Sequence, residues 1–363
     1  MSHTEWTEDT RVIPSIRTRW SAVPARLRPP PQFTRTDALA QAQTPAFIQA
    51  NEALNALFES DAWAGGQALA PMAGLDIFED HFKSIPDGNV ISVCVMRPSS
   101  STVQRLPVVV YFHGGGMAKA SCFHENFQTF GRLLAHQGLV VVMVDFRNSL
   151  YPARPGDSVA GFPAGLNDCV SAVRWVDKNR SKLGIVEAGG LVVAGESGGG
   201  NLAIATVLTL KQEQLIDGAY VMCPFICGKY PCKSFPSTLE FDGYILSNEV
   251  MTTLAAGYGD GIEENPLAWP SNCTTDDLMD FPPIVISTNE LDPLRDEGIN
   301  FFQKCLAAGV IAEGKILLGT VHATDNYFPG TAPHITRATC KAIAGFSRSL
   351  LRDDPVSMTS GKL

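Results

Sequence analysis

Leu191-Val192-Val193-Ala194-Gly195-Glu196-Ser197-Gly198-Gly199-Gly200-Asn201 is the stretch on which the reading of this chain turns. An apolar run of strand length enters a GxSxG pentapeptide and continues into residues that can form a helix. A strand that turns this sharply into a helix lifts one serine, Ser197, clear of the sheet edge. The turn is crowded, so Gly195 and Gly199 must carry no side chain where neighbouring backbone passes. The helix that follows would present its N-terminus to developing negative charge. An ordinary glycine-rich turn has the same letters, and the preceding strand separates the two readings.

Some eighty residues upstream, Val108-Val109-Val110-Tyr111-Phe112-His113-Gly114-Gly115-Gly116 is a second apolar run ending in glycines. Acyl transfer builds an oxyanion that fixed donors must meet, and residues without side chains let main-chain N–H groups come close. The expected donors are the amides of Gly114 and Gly115, with that of Gly198 after the nucleophile. A phosphate cradle is the competing use of such a loop, but neither GxGxxG nor GxxxxGK[ST] is satisfied.

A serine hydroxyl is a weak nucleophile at neutral pH and needs a base, most often histidine. In folds with a nucleophile elbow the chain order is serine, acid, histidine. Only His322 and His334 follow Ser197, and His322 alone follows the last strand-like run, in Leu318-Gly319-Thr320-Val321-His322. His334 reads as a residue near a helix start. The segment Asn289-Glu290-Leu291-Asp292-Pro293-Leu294-Arg295-Asp296-Glu297 offers the acid. Asp292, just before Pro293, stands at a loop-to-helix transition, Asp296 and Glu297 fall inside the helix, and Glu290 is the reserve.

Working outward, strand-like runs occur at Leu75 to Ile85, Val90 to Arg97, Leu106 to Phe112, Leu139 to Asp145, Leu191 to Gly195, Gly218 to Met222, Pro283 to Ser287 and Lys315 to Leu318. Helical spacing recurs near Glu125 to Gln137, Pro163 to Leu183, Gly199 to Gln214, Leu294 to Ala308 and His334 to Arg352. This alternation predicts an α/β fold with a mostly parallel eight-stranded sheet and helices on both faces. Residues 1–70, with the Pro-rich Arg28 to Pro31 and a helical Thr36 to Ala64, precede the sheet as a cap segment. Residues 71–224 and 282–352 are the two parts of the core, and 353–363 is read as a flexible tail. The interval 225–281 is too long for a plain crossover and is read as a cap insertion.

Composition bounds the partners. A net charge of −9 with no Lys/Arg run argues against nucleic acid and anionic membranes, leaving a neutral small molecule as the expected partner. No uninterrupted apolar stretch of about 18 residues or leader-like apolar core is present, so the expected compartment is the cytoplasm. The nine cysteines are scattered without CxxC pairing and read as reduced thiols. Cys223, Cys227 and Cys232 are the nearest approach to a metal-ligand group or a redox pair, outweighed by a packing role. A homodimer is one permitted assembly.

With these residues in place, the chain resembles the hormone-sensitive-lipase-like esterases of the α/β-hydrolase fold, which carry the HGGG motif. The likeness extends from about Pro107 to Phe346 and includes Asp145-Phe146-Arg147, Phe162-Pro163-Ala164-Gly165-Leu166-Asn167-Asp168, Ala268-Trp269-Pro270 and Asn289 to Gly298. The resemblance implies a cofactor-free serine carboxylesterase with a cap built from the N-terminus and an insertion. The chain departs from the wider group at Glu196 and Gly198, where Asp and Ala are usual, and at Phe146, where Tyr is usual. An acyltransferase would share every one of these groups, and a non-catalytic receptor would share the fold.

Overall fold

The computed structural model describes residues 8–20, 34–99, 106–185 and 190–351. The Pro-rich stretch at 28–31 and the tail at 353–363 lie outside the described residues. Eight strands form one sheet: β1 (Leu75–Lys83), β2 (Val90–Pro98), β3 (Val108–Phe112), β4 (Val140–Asp145), β5 (Leu191–Glu196), β6 (Gly218–Met222), β7 (Ile284–Leu291) and β8 (Ala312–Val321). Their spatial order is β1-β2-β4-β3-β5-β6-β7-β8. The pairs β1/β2 and β2/β4 are antiparallel and all the others are parallel. The predicted strands are present, and β7 and β8 run further than their apolar runs.

The five residues of β3 are all buried, as expected for a central strand covered on both faces. Val108, Val110 and Phe112 face one core with Cys169 and Val173 of helix Ala164–Lys178, Leu202 of Gly198–Leu210 and Phe301 of Arg295–Ala307. Val109 and Tyr111 face the other, with Phe127 and Phe130 of helix Glu125–Ala135 and Cys340 and Ile343 of Pro333–Ser349. The period-2 alternation of β3 thus splits the apolar residues between two cores and gives a three-layer fold. Each fully buried Val or Phe contributes about 1.5–3 kcal/mol.

Strand β3 has β4 on one side and β5 on the other, so chain order reverses there. Such a switch point opens a crevice beyond the carboxyl ends of the strands, the usual ligand position in open α/β sheets. His113 to Gly116 leave β3 at this point, and Ser197 leaves β5.

The interval after β6 divides in two. Helix Asn248–Tyr258 packs on helix Arg35–Ala42 of the N-terminal part, and the Leu254 side chain lies against Gly116. Ala268 to Phe281 instead belong to the core: Trp269 is fully buried edge-on to Phe225 and Tyr258, and Asn201 donates to the Ala268 carbonyl at 2.8 Å. Apolar surface on Trp269, Leu278 and Phe281 drives that second part under the sheet-covering helices.

Candidate active site

Ser197 sits between β5 and helix Gly198–Leu210 with φ +54 and ψ −119, a conformation sparsely populated by residues with a side chain. The backbone is held there by Ser197 N–H donating to Met222 O at 2.9 Å and by Phe225 N–H donating to Ser197 O at 3.0 Å. A Cβ on Gly195 would stand 2.7 Å from Phe112 O, and one on Gly199 would stand 2.7 Å from His113 O, with other backbone atoms closer still. Both glycines are therefore required by the close approach of β3, as the crowded turn predicted.

The base and acid come from the ends of β8 and β7. His322 and Asp292 are fully buried, and Nδ1–H of His322 donates to Asp292 Oδ2 at 2.8 Å. Asp292 Oδ1 accepts from Leu294 N–H at 2.9 Å, so both carboxylate oxygens are engaged. His322 Nε2 is buried and makes no hydrogen bond among the described residues. An imidazole held by Nδ1 presents Nε2 in its basic tautomer, as a general base requires.

Glu290, the reserve acid, does different work. Its Oε2 accepts from Gly319 N–H at 2.7 Å, tying β7 to the turn before His322. Asn289 adds a second tie, donating to Thr320 Oγ1 at 2.8 Å and accepting from Ala323 N–H at 3.1 Å. Asp296 and Glu297 lie inside helix Arg295–Ala307, and His334 lies at the start of the last helix, both as predicted.

Gly114 N–H donates to Glu196 Oε1, and Glu196 Oε2 accepts from Tyr111 Oη, so the Gly114 amide already has a buried partner. Its carbonyl is fixed too, accepting from His113 Nδ1 at 2.7 Å. Because the peptide is planar, this orients the next amide, that of Gly115, the opposite way. The amide nitrogen of Gly116 lies 2.8 Å from the point a Cβ on Gly198 would occupy, and that of Met117 lies at 2.5 Å. Gly198 thus stands where the wider group has Ala because the loop leaves no room for a methyl.

Burial shapes the charges. It pushes the Glu196 carboxyl up to about 8, against the pull of Tyr111 and the Gly114 amide. It holds His113 down to about 3, so that ring is neutral, stacked on Phe146 at 4.3 Å. Phe146, in the place of the usual Tyr, is thus a stacking surface for the histidine that sets the loop. Arg147 beside it clamps Asp168, through Nε to Oδ2 at 2.8 Å, and also pairs with Asp87 at 2.5 Å.

All nine cysteines are free, and Cys227 and Cys232 do not join Cys223 in a ligand group. The metal-type cluster among the described residues is Cys223 with Asp292 and His322, within 4.8 Å of one another. Two of its ligand atoms are already bonded to each other, and burial raises the Cys223 thiol well above its usual range, against the thiolate a metal needs. Among the aromatic residues of the N-terminal part and the insertion, Phe225, Phe241 and Tyr244 are buried packing residues, and Tyr230 stacks on Phe225. Phe47 is half-buried, and Phe58 reaches the site, 5.3 Å from Tyr327. Trp6 and the Trp20 side chain lie outside the described residues.

A nucleophile elbow at a switch point, a glycine loop beside it and a buried His–Asp pair define a hydrolase of the serine type. The alpha/beta hydrolase fold family matches residues 109–326, and the chain belongs to it. The chain is 33% identical over 257 residues to carboxylesterase NlhH of Mycobacterium tuberculosis, covering 68% of this chain and 74% of that one. Among solved structures it is similar to esterase Est22, with 40% identity, 94% and 98% coverage and a TM-score of 0.87. It is also similar to brefeldin A esterase, described as a bacterial homologue of human hormone-sensitive lipase, with 34% identity, 96% and 95% coverage and a TM-score of 0.82. The resemblance to hormone-sensitive-lipase-like esterases holds, and the chain stands among the carboxylic ester hydrolases.

Proposed function

We propose that Ser197, His322 and Asp292 are the catalytic triad of a carboxylesterase acting on an apolar small-molecule ester or lactone. The observation that carries this is the buried His322–Asp292 bond at 2.8 Å, which leaves Nε2 as the basic nitrogen of a site that also holds a buried serine in a strained conformation. Nε2 takes the Ser197 proton as Oγ attacks the ester carbonyl, and the imidazolium is stabilised by Asp292. The carbonyl π pair moves onto oxygen, which is met by the amides of Gly115, Gly116 and Gly198. Collapse expels the alcohol with the proton from His322, and water then repeats the sequence to release the acid.

Helices Arg35–Ala42 and Asn248–Tyr258, packed on each other with Leu254 against Gly116, support a cap over the glycine loop. Leu254 gives that cap an apolar side chain facing the loop, which suits an uncharged substrate. Free cysteines fit a reducing compartment such as the cytoplasm. No helix among the described residues is long and apolar enough to cross a membrane.

The test is hydrolysis of a p-nitrophenyl ester series of increasing acyl length, with product analysis in the presence and absence of an added alcohol. Free acid as the main product supports the esterase. Transfer of the acyl group to the alcohol in preference to water makes it an acyltransferase, and no turnover of any ester or lactone overturns both.

A further inference from the structure

Tyr327 closes the short helix Thr324–Tyr327, five residues beyond His322. Its ring is buried among Phe58, Phe127 and Phe328 and stands edge-on to the His322 imidazole at 5.9 Å. A Cβ on Gly114 would lie 3.1 Å from Tyr327 Cζ and nearer still to Oη, so the phenol rests on the bare face of Gly114. The Gly115 amide and the Ser197 hydroxyl both donate toward the phenol oxygen, so it lies within hydrogen-bonding reach of the two. The hydroxyl of Tyr327 therefore shares one small volume with the nucleophile, a loop amide and the face of the base.

Gly114 N–H is spent on Glu196. We propose that the Tyr327 O–H supplies the donor that Gly114 does not, hydrogen-bonding the oxyanion of the tetrahedral intermediate beside the Gly115 amide. Burial first, and then the Glu196 carboxyl nearby, hold this phenol well above its ordinary range, so it stays protonated and able to donate. It gives no proton away: the carbonyl π pair moves onto oxygen on attack and returns on collapse, while the leaving alcohol takes its proton from His322. A donor held by packed rings acts on the charge that develops in the transition state and adds little to ground-state binding.

The inference rests on Ser197 as nucleophile, and the experiment separates the two. Tyr327→Phe keeps the ring and removes only the hydroxyl. It is expected to lower kcat and kcat/KM together by on the order of a hundredfold with KM little changed. Affinity for an aryl trifluoromethyl ketone, whose hemiketal on Ser197 carries the oxyanion, should fall by a similar factor, while inhibition by the p-nitrophenol product should not change. Unchanged kcat, or a loss confined to KM, overturns the role. Should Tyr327→Phe fail to fold, 3-fluorotyrosine at 327 supplies a stronger donor, for which tighter ketone binding is expected and unchanged binding overturns it. Intact-mass detection of phosphonylated Ser197 in wild type and Tyr327→Phe tells the failures apart: a label elsewhere sinks the nucleophile assignment, whereas a normal label with unaltered kinetics sinks Tyr327 alone.

Discussion

Asp292→Asn exposes how much the triad depends on two oxygens that both accept. Oδ2 receives His322 Nδ1–H at 2.8 Å and Oδ1 receives Leu294 N–H at 2.9 Å. An asparagine offers one acceptor and one NH2, so it can serve only one of these donors. With its oxygen kept on Leu294, the NH2 faces Nδ1 and drives the imidazole proton onto Nε2, the atom that must accept from Ser197. Flipping the amide restores the tautomer but sets NH2 against Leu294 N–H, at about 1–3 kcal/mol for the unmet donors. The imidazolium also loses a charged acceptor for a neutral one, a further ~1–1.5 kcal/mol. The sum of about 2–4.5 kcal/mol, at ~1.36 kcal/mol per decade, is a loss of roughly 30- to 2,000-fold in kcat. The assay is steady-state hydrolysis of p-nitrophenyl acetate near neutral pH, with Glu290→Gln in parallel. Glu290 accepts from Gly319 N–H, a bond the Gln oxygen can keep, so that variant should stay near wild-type activity. An Asp292→Asn enzyme as active as Glu290→Gln would refute the assignment of the acid.

Two other perturbations follow from packing and burial. Gly199→Ala drives a methyl to 2.7 Å from His113 O and closer to the Phe112 backbone, so a destabilisation of about 3 kcal/mol or more is expected, read as a collapse in soluble yield or melting temperature; a well-folded variant would show that β3 and the elbow can separate. Burial lifts Glu196 from an ordinary 4.5 to about 8, so between those values the folded chain holds a proton the unfolded chain has lost, and stability falls as pH rises. Glu196→Gln should reduce the slope of unfolding free energy over that window by up to about 1.4 kcal/mol per pH unit in urea melts, and an unchanged slope would contradict a buried, protonated Glu196.

The apolar runs of β2 to β6 were legible because strands buried on both faces need nearly continuous Val, Ile and Leu. β8 was legible only in part. Its residues alternate in exposure from Ala312 onward, so Glu313 and Gly314 do not look like strand although they pair with Val285 and Ile286. The residues of the proposed triad can be picked out of the sequence because they stand at strand ends in a fixed chain order, each beside a recognisable turn. The partner of the Gly114 amide is not legible in the sequence, because the direction of an amide is set by its partner, here Glu196, which arrives from another strand eighty-two residues later. In the sequence Glu196 shows only as a departure from the usual Asp, and Gly116 is the last glycine of the same motif. Tyr327 carried no motif, and only its short distance in sequence from His322 marked it. The second part of the insertion was read as cap because length alone does not distinguish a lid from a segment that returns to the core, although Trp269 was the residue that pointed inward.

The most direct measurement is intact-mass analysis after treatment with a fluorophosphonate ester, on the wild type and on Ser197→Ala. The account predicts one phosphonyl group per wild-type chain, mapped by peptide digestion to Ser197, and none on the variant, which should also lack ester turnover. A label that persists on Ser197→Ala, or hydrolysis that survives the substitution, would contradict it.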